Sequence, residues 1–365
     1  MSESVLSFIN SGIEDLHPYE PGRSIDEVIA EYNPEKVVKL ASNENPLGAS
    51  PKAKDAIKKL GNELHLYPDG DALKLKMQIA KLESVSIDQI IVGNGSNEIL
   101  ELAARAFLNK DSSAVMSKHA FAVYKIVTQS YGSKIIEVPM INWKHDLSSF
   151  KNYLEDNTRV IFVANPNNPT GTYNTNKEFK EMMERIPSSV LVVLDLAYFE
   201  YVDSDDYVNP NELLSEYKNL LITKTFSKIQ GLASLRIGYG ISSSDISGVL
   251  NKIRQPFNAN FLAQSAAIEA IKDLDHINQS RILNSSERHR VQEALEALGM
   301  DCIKSYGNFI SFKGPFNAET IFFSLMKKGV IVRPIAIYEM PEYIRVTIGT
   351  AEENDYFLDH LSKLL

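Results

Sequence analysis

The sequence is short of several things, and each shortage narrows what it can encode. Cysteine occurs once, at Cys302. No intrachain disulfide or cysteine metal cluster can form, which suits a reducing compartment. The seven histidines (His17, His65, His119, His145, His276, His289 and His360) lack the close spacing of a zinc site, so no metal is expected. No apolar run approaches the ~18 residues of a membrane span. The most apolar stretch, Val190 to Phe199, is interrupted by Asp195. The first sixteen residues carry Glu3, Glu14 and Asp15 but no Lys or Arg, so a secretory leader is not expected and a cytoplasmic location is. Positive charge is in deficit, with 38 Lys and Arg against 47 Asp and Glu, a net −9. A general nucleic-acid binder needs a basic face for phosphates and is not expected either.

Familiar catalytic signatures are missing as well. Gly93-Asn94-Gly95-Ser96-Asn97-Glu98 begins like a dinucleotide fingerprint but ends in Glu where Gly is needed. There is no P-loop and no Gly-x-Ser-x-Gly nucleophile elbow.

What remains is an ordinary globular composition, 44% hydrophobic and 23% charged over 365 residues. That length suits about two domains. Short β-branched runs at Ile90–Val92, Ala114–Met116, Lys134–Val138, Arg159–Ala164, Val190–Leu194, Leu220–Thr223 and Gly238–Ile241 read as strands. Amphipathic stretches such as Asn97–Leu108 and Asn176–Arg185 lie between several of them. The alternation predicts an α/β domain with a mostly parallel sheet, whose ligands gather at the carboxyl ends of the strands. The pattern changes near Gln255-Pro256-Phe257 to helices and then strand-like runs, a smaller α+β domain. The expected division is an arm over 1–40 that packs on the small domain or on a dimer partner, a large domain over 41–257 and a small domain over 258–365.

Four places could carry chemistry. Gly93 to Ser96 joins a strand to a helix, whose first-turn N–H groups suit a phosphate; an ordinary turn with Ser96 as N-cap is the plainer reading. Asn165-Pro166-Asn167-Asn168-Pro169-Thr170-Gly171 is either a rigid surface turn or a set of amides aimed at the strand end. Asp195 is either a helix cap or a buried carboxylate that needs a cationic partner, with Tyr198 close by. Lys228, in Thr225-Phe226-Ser227-Lys228 with Arg236 eight residues on, is either a solvated charge or a desolvated nucleophile. Together they form a complete set for pyridoxal phosphate: a helix start and arginine for the phosphate, a carboxylate for the ring nitrogen, a lysine for the Schiff base.

In these motifs the chain resembles the fold-type I, class II pyridoxal-phosphate aminotransferases. Within them it resembles the histidinol-phosphate aminotransferase family along almost its whole length. The finer markers are His17-Pro18-Tyr19-Glu20-Pro21-Gly22, Asn43-Glu44-Asn45-Pro46, Leu66-Tyr67-Pro68-Asp69 and Tyr343-Ile344-Arg345-Val346-Thr347-Ile348-Gly349. The resemblance implies a large domain with a seven-stranded, mostly parallel sheet flanked by helices. It makes Lys228 the Schiff-base lysine and Asp195 the partner of the ring nitrogen, with Asn168 and Tyr198 on the ring hydroxyl. Ser96, Asn97, Thr225, Ser227 and Arg236 would hold the cofactor phosphate, and Phe121 would stack on the ring. Tyr67 would reach the phosphate at a neighbouring subunit's site, which implies a homodimer. Arg345 would be the substrate-anion fork, with Tyr19, Asn43 and Arg333 as further substrate contacts. Departures from the family pattern are Leu196 after the aspartate, Phe121 where Tyr is frequent, Ser234 near Arg236 and Asn97 where Asp is frequent.

The implied reaction converts L-histidinol phosphate and 2-oxoglutarate to imidazole-acetol phosphate and L-glutamate. Rival readings are an aromatic or broad-specificity amino-acid aminotransferase, an L-threonine O-3-phosphate decarboxylase and a non-catalytic binding module. Retention of the reacting residues argues against the last.

Overall fold

The computed structural model describes residues 4–18 and 22–365. Its centre is a seven-stranded sheet built from β1 (Ile90–Gly93), β2 (Ser113–Ser117), β3 (Lys134–Val138), β4 (Thr158–Ala164), β5 (Leu191–Asp195), β6 (Leu220–Thr225) and β7 (Gly238–Ile241). The strand order is β1-β7-β6-β5-β4-β2-β3, and only β7 runs antiparallel to its neighbours. All seven were legible as short strand-like runs. The central ones are buried on both faces, which is why they read as continuous apolar stretches rather than alternating ones. One core fills each face: Val92, Ile161, Val163, Leu194 and Ile222 on one side, Ile91, Met116, Phe162, Val193 and Leu221 on the other.

A second, antiparallel sheet combines β8 (Asp301–Ile303), β9 (Phe309–Lys313), β10 (Arg333–Pro334) and β11 (Ile344–Thr347) in the order β8-β9-β11-β10. Its apolar face, with Ile310, Phe312, Ile344 and Val346, packs against Val291, Leu295, Leu325 and Phe357 of three helices. The opposite face carries Ser311 and Arg345. Period-two alternation therefore turns Arg345 away from that core and toward the large sheet.

The arm helix Ile25–Tyr32 starts with a Ser24/Glu27 capping box. Its Val28 packs with Ala41, Met326 and Ile331, so this part of the arm lies on the small sheet's unit. The short strand Val38–Lys39 pairs with Val330–Ile331 of the same unit. The change of sequence pattern at 257–258 is not where the packing changes. Helix Phe261–Ile271 buries Ala263, Ala266, Ala267 and Ala270 in the core of the large sheet. Helix type is readable from local periodicity, but the body a helix packs on is decided by which apolar surface it meets. Among the described residues no helix is long and apolar enough to cross a membrane, and no cluster of His, Cys, Asp and Glu could hold a metal.

Candidate active site

The carboxyl ends of β1, β2, β4, β5 and β6 share one rim, and the loops leaving it meet the polar face of the small sheet. A cavity opens between them. It is lined by Ser96, Asn97, Phe121, Asn168, Asp195, Tyr198, Thr225, Ser227, Lys228 and Arg236 from the large sheet's unit, and by Asn43, Arg333, Tyr338 and Arg345 from the other side. Two more residues were singled out from the sequence. Tyr19 lies outside the described residues. Tyr67 is 82% exposed and stacks on Phe257 at 4.7 Å, away from the cavity of its own chain.

The turn after β1 builds one end of the cavity. Gly95, not Ser96, is the N-cap of helix Ser96–Phe107, with φ 77°. A Cβ there would stand 2.5 Å from Arg236 Nη2, so glycine supplies both the left-handed backbone and the space for the guanidinium. Across the turn Arg236 Nη1 donates to Ser227 Oγ at 3.3 Å, and the Ser227 N–H donates to Thr225 Oγ1 at 3.1 Å. First-turn N–H groups, two hydroxyls and a guanidinium thus converge in a pattern that matches a phosphate dianion.

Asp195 is the last residue of β5 and is buried, not a helix cap. Its Oδ2 accepts from the Tyr124 phenol at 2.9 Å, while buried Oδ1 has no hydrogen-bond partner among the described residues. Burial pushes the carboxyl pKa up, opposed by the Tyr124 hydrogen bond, by the nearby Thr223 hydroxyl and Ala197 N–H, and by the charge of Lys228. A buried carboxylate oxygen without a donor is a place for an N–H⁺. Tyr124 carries no motif; it lies in an apolar helical run and reads as core. Its ring does stack on Phe162 at 4.9 Å.

Lys228 sits on the loop after β6, deep in the cavity, with Nζ donating to the Ser42 carbonyl at 3.2 Å. Burial and the charges of Arg345 and Arg236 lower its pKa to about 7, against the pull of Glu44 and Asp195. At neutral pH a large share of the amine is therefore unprotonated and nucleophilic. The Tyr198 hydroxyl accepts from Asn43 Nδ2 at 2.9 Å, and burial raises its pKa, so it keeps its proton.

The run Asn165–Gly171 is no surface turn. Asn165, Asn167 and Thr170 are fully buried, and the Tyr306 N–H donates to the Gly171 carbonyl at 2.7 Å, tying the run to the small sheet's unit. Asn168 Oδ1 accepts from Arg345 Nη1, and Arg345 Nη2 donates to the Ala41 carbonyl at 2.9 Å. Arg333 is paired directly opposite Arg345 across β10 and β11. Both side chains line the cavity, so this end of it carries a local excess of positive charge. Phosphate cradle, unpartnered aspartate oxygen, depressed lysine and arginine pair together fit pyridoxal phosphate with a substrate anion beside it.

Comparison with known proteins agrees. The family described as aminotransferase class I and II matches residues 35–361. A histidinol-phosphate aminotransferase 2 of Pseudomonas fluorescens is 48% identical over 100% of this chain and 99% of its own length. Its namesake from Pseudomonas aeruginosa is 47% identical over 99% of this chain and 98% of its own length. Among solved structures, a histidinol-phosphate aminotransferase of Sinorhizobium meliloti in complex with pyridoxal-5'-phosphate superposes with TM-score 0.90 at 24% identity, covering 99% of this chain and 100% of its own. An L-threonine-O-3-phosphate decarboxylase of Porphyromonas gingivalis reaches TM-score 0.80 at 21% identity, covering 90% and 99%, so this fold alone does not choose between the two reactions. Full-length similarity at this level, on a chain whose cavity holds the whole donor set, makes the protein a member of the class I and II aminotransferases.

Proposed function

We propose that the protein is a pyridoxal-phosphate-dependent histidinol-phosphate aminotransferase of histidine biosynthesis. It would transfer the amino group of L-histidinol phosphate to 2-oxoglutarate, giving imidazole-acetol phosphate and L-glutamate. The observation that carries this reading is the Arg333–Arg345 pair at one end of the cavity that holds Lys228. The reaction must seat a phosphate in one half and a carboxylate in the other. A planar fork binds either anion bidentately, and a second cation beside it suits the dianion. The names of the full-length relatives support the same assignment.

When bound, pyridoxal 5'-phosphate supplies a conjugated ring that takes up the electron pair left when a proton leaves the donor's Cα. Ser96, Asn97, Thr225, Ser227 and Arg236 would hold its phosphate, Asp195 would pair with its ring nitrogen, and Asn168 and Tyr198 would contact its hydroxyl. Phe121 covers the ring, and its π-face serves without a hydroxyl. Lys228 anchors the cofactor between turnovers and then works as base and acid. Its neutral Nζ would take the proton from the donor's Cα and, as the ammonium, deliver it to the cofactor's C4′. Burial, helped by the nearby charges of Arg345 and Arg236, keeps that amine near the poise such a shuttle needs.

The active unit in this reading is a cytoplasmic homodimer in which Tyr67 completes the neighbour's phosphate site. Tyr67 stands outward beside exposed Leu64 and Leu66, and exposed Val5, Leu6 and Phe8 of the arm add further unpartnered apolar surface. The test of the reaction is a comparison of products. With L-histidinol phosphate and 2-oxoglutarate the purified protein should form glutamate without releasing carbon dioxide. Faster use of phenylalanine would favour an aromatic aminotransferase, and carbon dioxide from L-threonine O-3-phosphate a decarboxylase.

A further inference from the structure

One aromatic residue of the cavity wall takes no part in the chemistry above. Tyr338 belongs to a short turn, Ala336–Tyr338, on the connection between β10 and β11. It is buried, packs with Ala122, Ile335, Met340 and Tyr343, and faces the cavity. Two residues of this turn are gripped from the other unit. His119 Nδ1 lies 2.7 Å from the Tyr338 carbonyl, which only a ring N–H can satisfy. Lys118 and Lys125 bracket the Glu339 carboxylate at 3.2 and 2.8 Å. Lys125 is itself steadied by Glu137 at 2.7 Å. Behind them the His119 ring lies 5.3 Å from Trp143, which meets Tyr343 edge-on at 5.1 Å. Two residues past His119 comes Phe121, also in the cavity wall. The same two short segments therefore clasp one another on the outside and present an aromatic ring each on the inside.

In the reading above Phe121, Tyr198 and the arginines are assigned to the cofactor and to anions, and Tyr338 is a further large ring facing the cavity. We propose that Tyr338 is the wall against which the donor's aromatic side chain packs, and that Lys118, His119, Lys125 and Glu339 are the positioning residues that hold it there. Discrimination between a ring-bearing donor and glutamate, whose chain is short and flexible, then depends on this clasp. The inference rests on the proposed transamination of histidinol phosphate.

The test measures both amino-donor half-reactions, L-histidinol phosphate and L-glutamate, on the cofactor-loaded wild type and three variants. Tyr338→Ala should raise KM for histidinol phosphate by about tenfold or more and leave KM for glutamate within about twofold, with kcat and the cofactor's visible spectrum little changed. Glu339→Ala removes only exposed ion pairs, which are individually weak, so the same selective effect should be about threefold. The double variant should be no worse than Tyr338→Ala, because the clasp acts through that ring. Tyr338→Phe keeps the ring and should keep the discrimination. Equal losses for both donors, unchanged discrimination in Tyr338→Ala, or additive losses in the double variant would each overturn the proposal. No histidinol-phosphate half-reaction in the wild type would overturn the underlying reading, and this inference with it.

Discussion

Tyr124→Phe removes a single hydroxyl from the site and isolates what holds Asp195 in its charged form. The phenol donates to Asp195 Oδ2 at 2.9 Å, and both groups are buried. A hydrogen bond to a charged group is worth about 1.5–3 kcal/mol. Here it favours the carboxylate, in opposition to burial, which pushes the Asp195 pKa up. Without the hydroxyl the pKa rises further, so the carboxyl stays ionised over a narrower range of pH. At ~1.4 kcal/mol per decade the expected loss in single-turnover rate is about 10- to 100-fold. The ring still stacks on Phe162 at 4.9 Å, so no cavity opens and the fold should stand. Asp195→Asn, which removes the charge at every pH, should cost on the order of a thousandfold, several kcal/mol of barrier. The assay is the single-turnover rate with L-histidinol phosphate across pH. The Tyr124→Phe deficit should shrink as pH rises and Asp195 ionises again. An unchanged rate, or a pH-independent loss as large as that of Asp195→Asn, would refute the assignment.

Lys228→Ala should abolish turnover in a folded protein, and borohydride should fix the cofactor covalently to the Lys228 peptide of the wild type; labelling of another lysine, Lys224 for example, would show that the wrong amine was chosen. Reconstitution of cofactor-free protein needs the neutral Lys228 amine, so its rate should fall about tenfold per pH unit below about 7 and level off above. A plateau extending well below pH 7 would mean that Lys228 is not the attacking group or not desolvated. Arg345→Lys keeps the charge but loses the planar fork that reaches Asn168 and Ala41, so both half-reactions should weaken. If only the glutamate half weakened, histidinol phosphate would be anchored elsewhere. Tyr67→Phe and Lys228→Ala, mixed and reassembled, should regain activity through heterodimers that carry one intact site, and a fully active monomer would exclude the shared site.

Most of the fold could be read locally because the main-sheet strands are short apolar runs, several of them rich in β-branched residues, closed by a turn or helix start. Arg345 was placeable for the same reason. Ile344 and Val346 face the small core, so the alternate residue must face away. The motif residues could be listed together because each follows a strand of one parallel sheet, and parallel strands deliver their carboxyl ends to one rim. What stayed hidden depends on tertiary packing. Tyr124 looks like any core aromatic until β5 brings Asp195 to its hydroxyl. Helix Phe261–Ile271 follows a change of pattern at Pro256, yet its alanines fit the large core. His119 has no metal spacing and no catalytic neighbour in sequence. Its role exists only because the turn at Tyr338, more than two hundred residues away, lies against it.

The most direct measurement is a single turnover without an acceptor. Purified, cofactor-loaded protein is mixed with excess L-histidinol phosphate, and product and bound cofactor are measured together. The account predicts one imidazole-acetol phosphate per site, conversion of the cofactor to its amine form, no carbon dioxide, and restoration of the starting spectrum with one equivalent of L-glutamate when 2-oxoglutarate is added. An unchanged cofactor spectrum with histidinol phosphate, alongside a normal half-reaction with glutamate, would contradict it: the protein would then be an aminotransferase for some other donor.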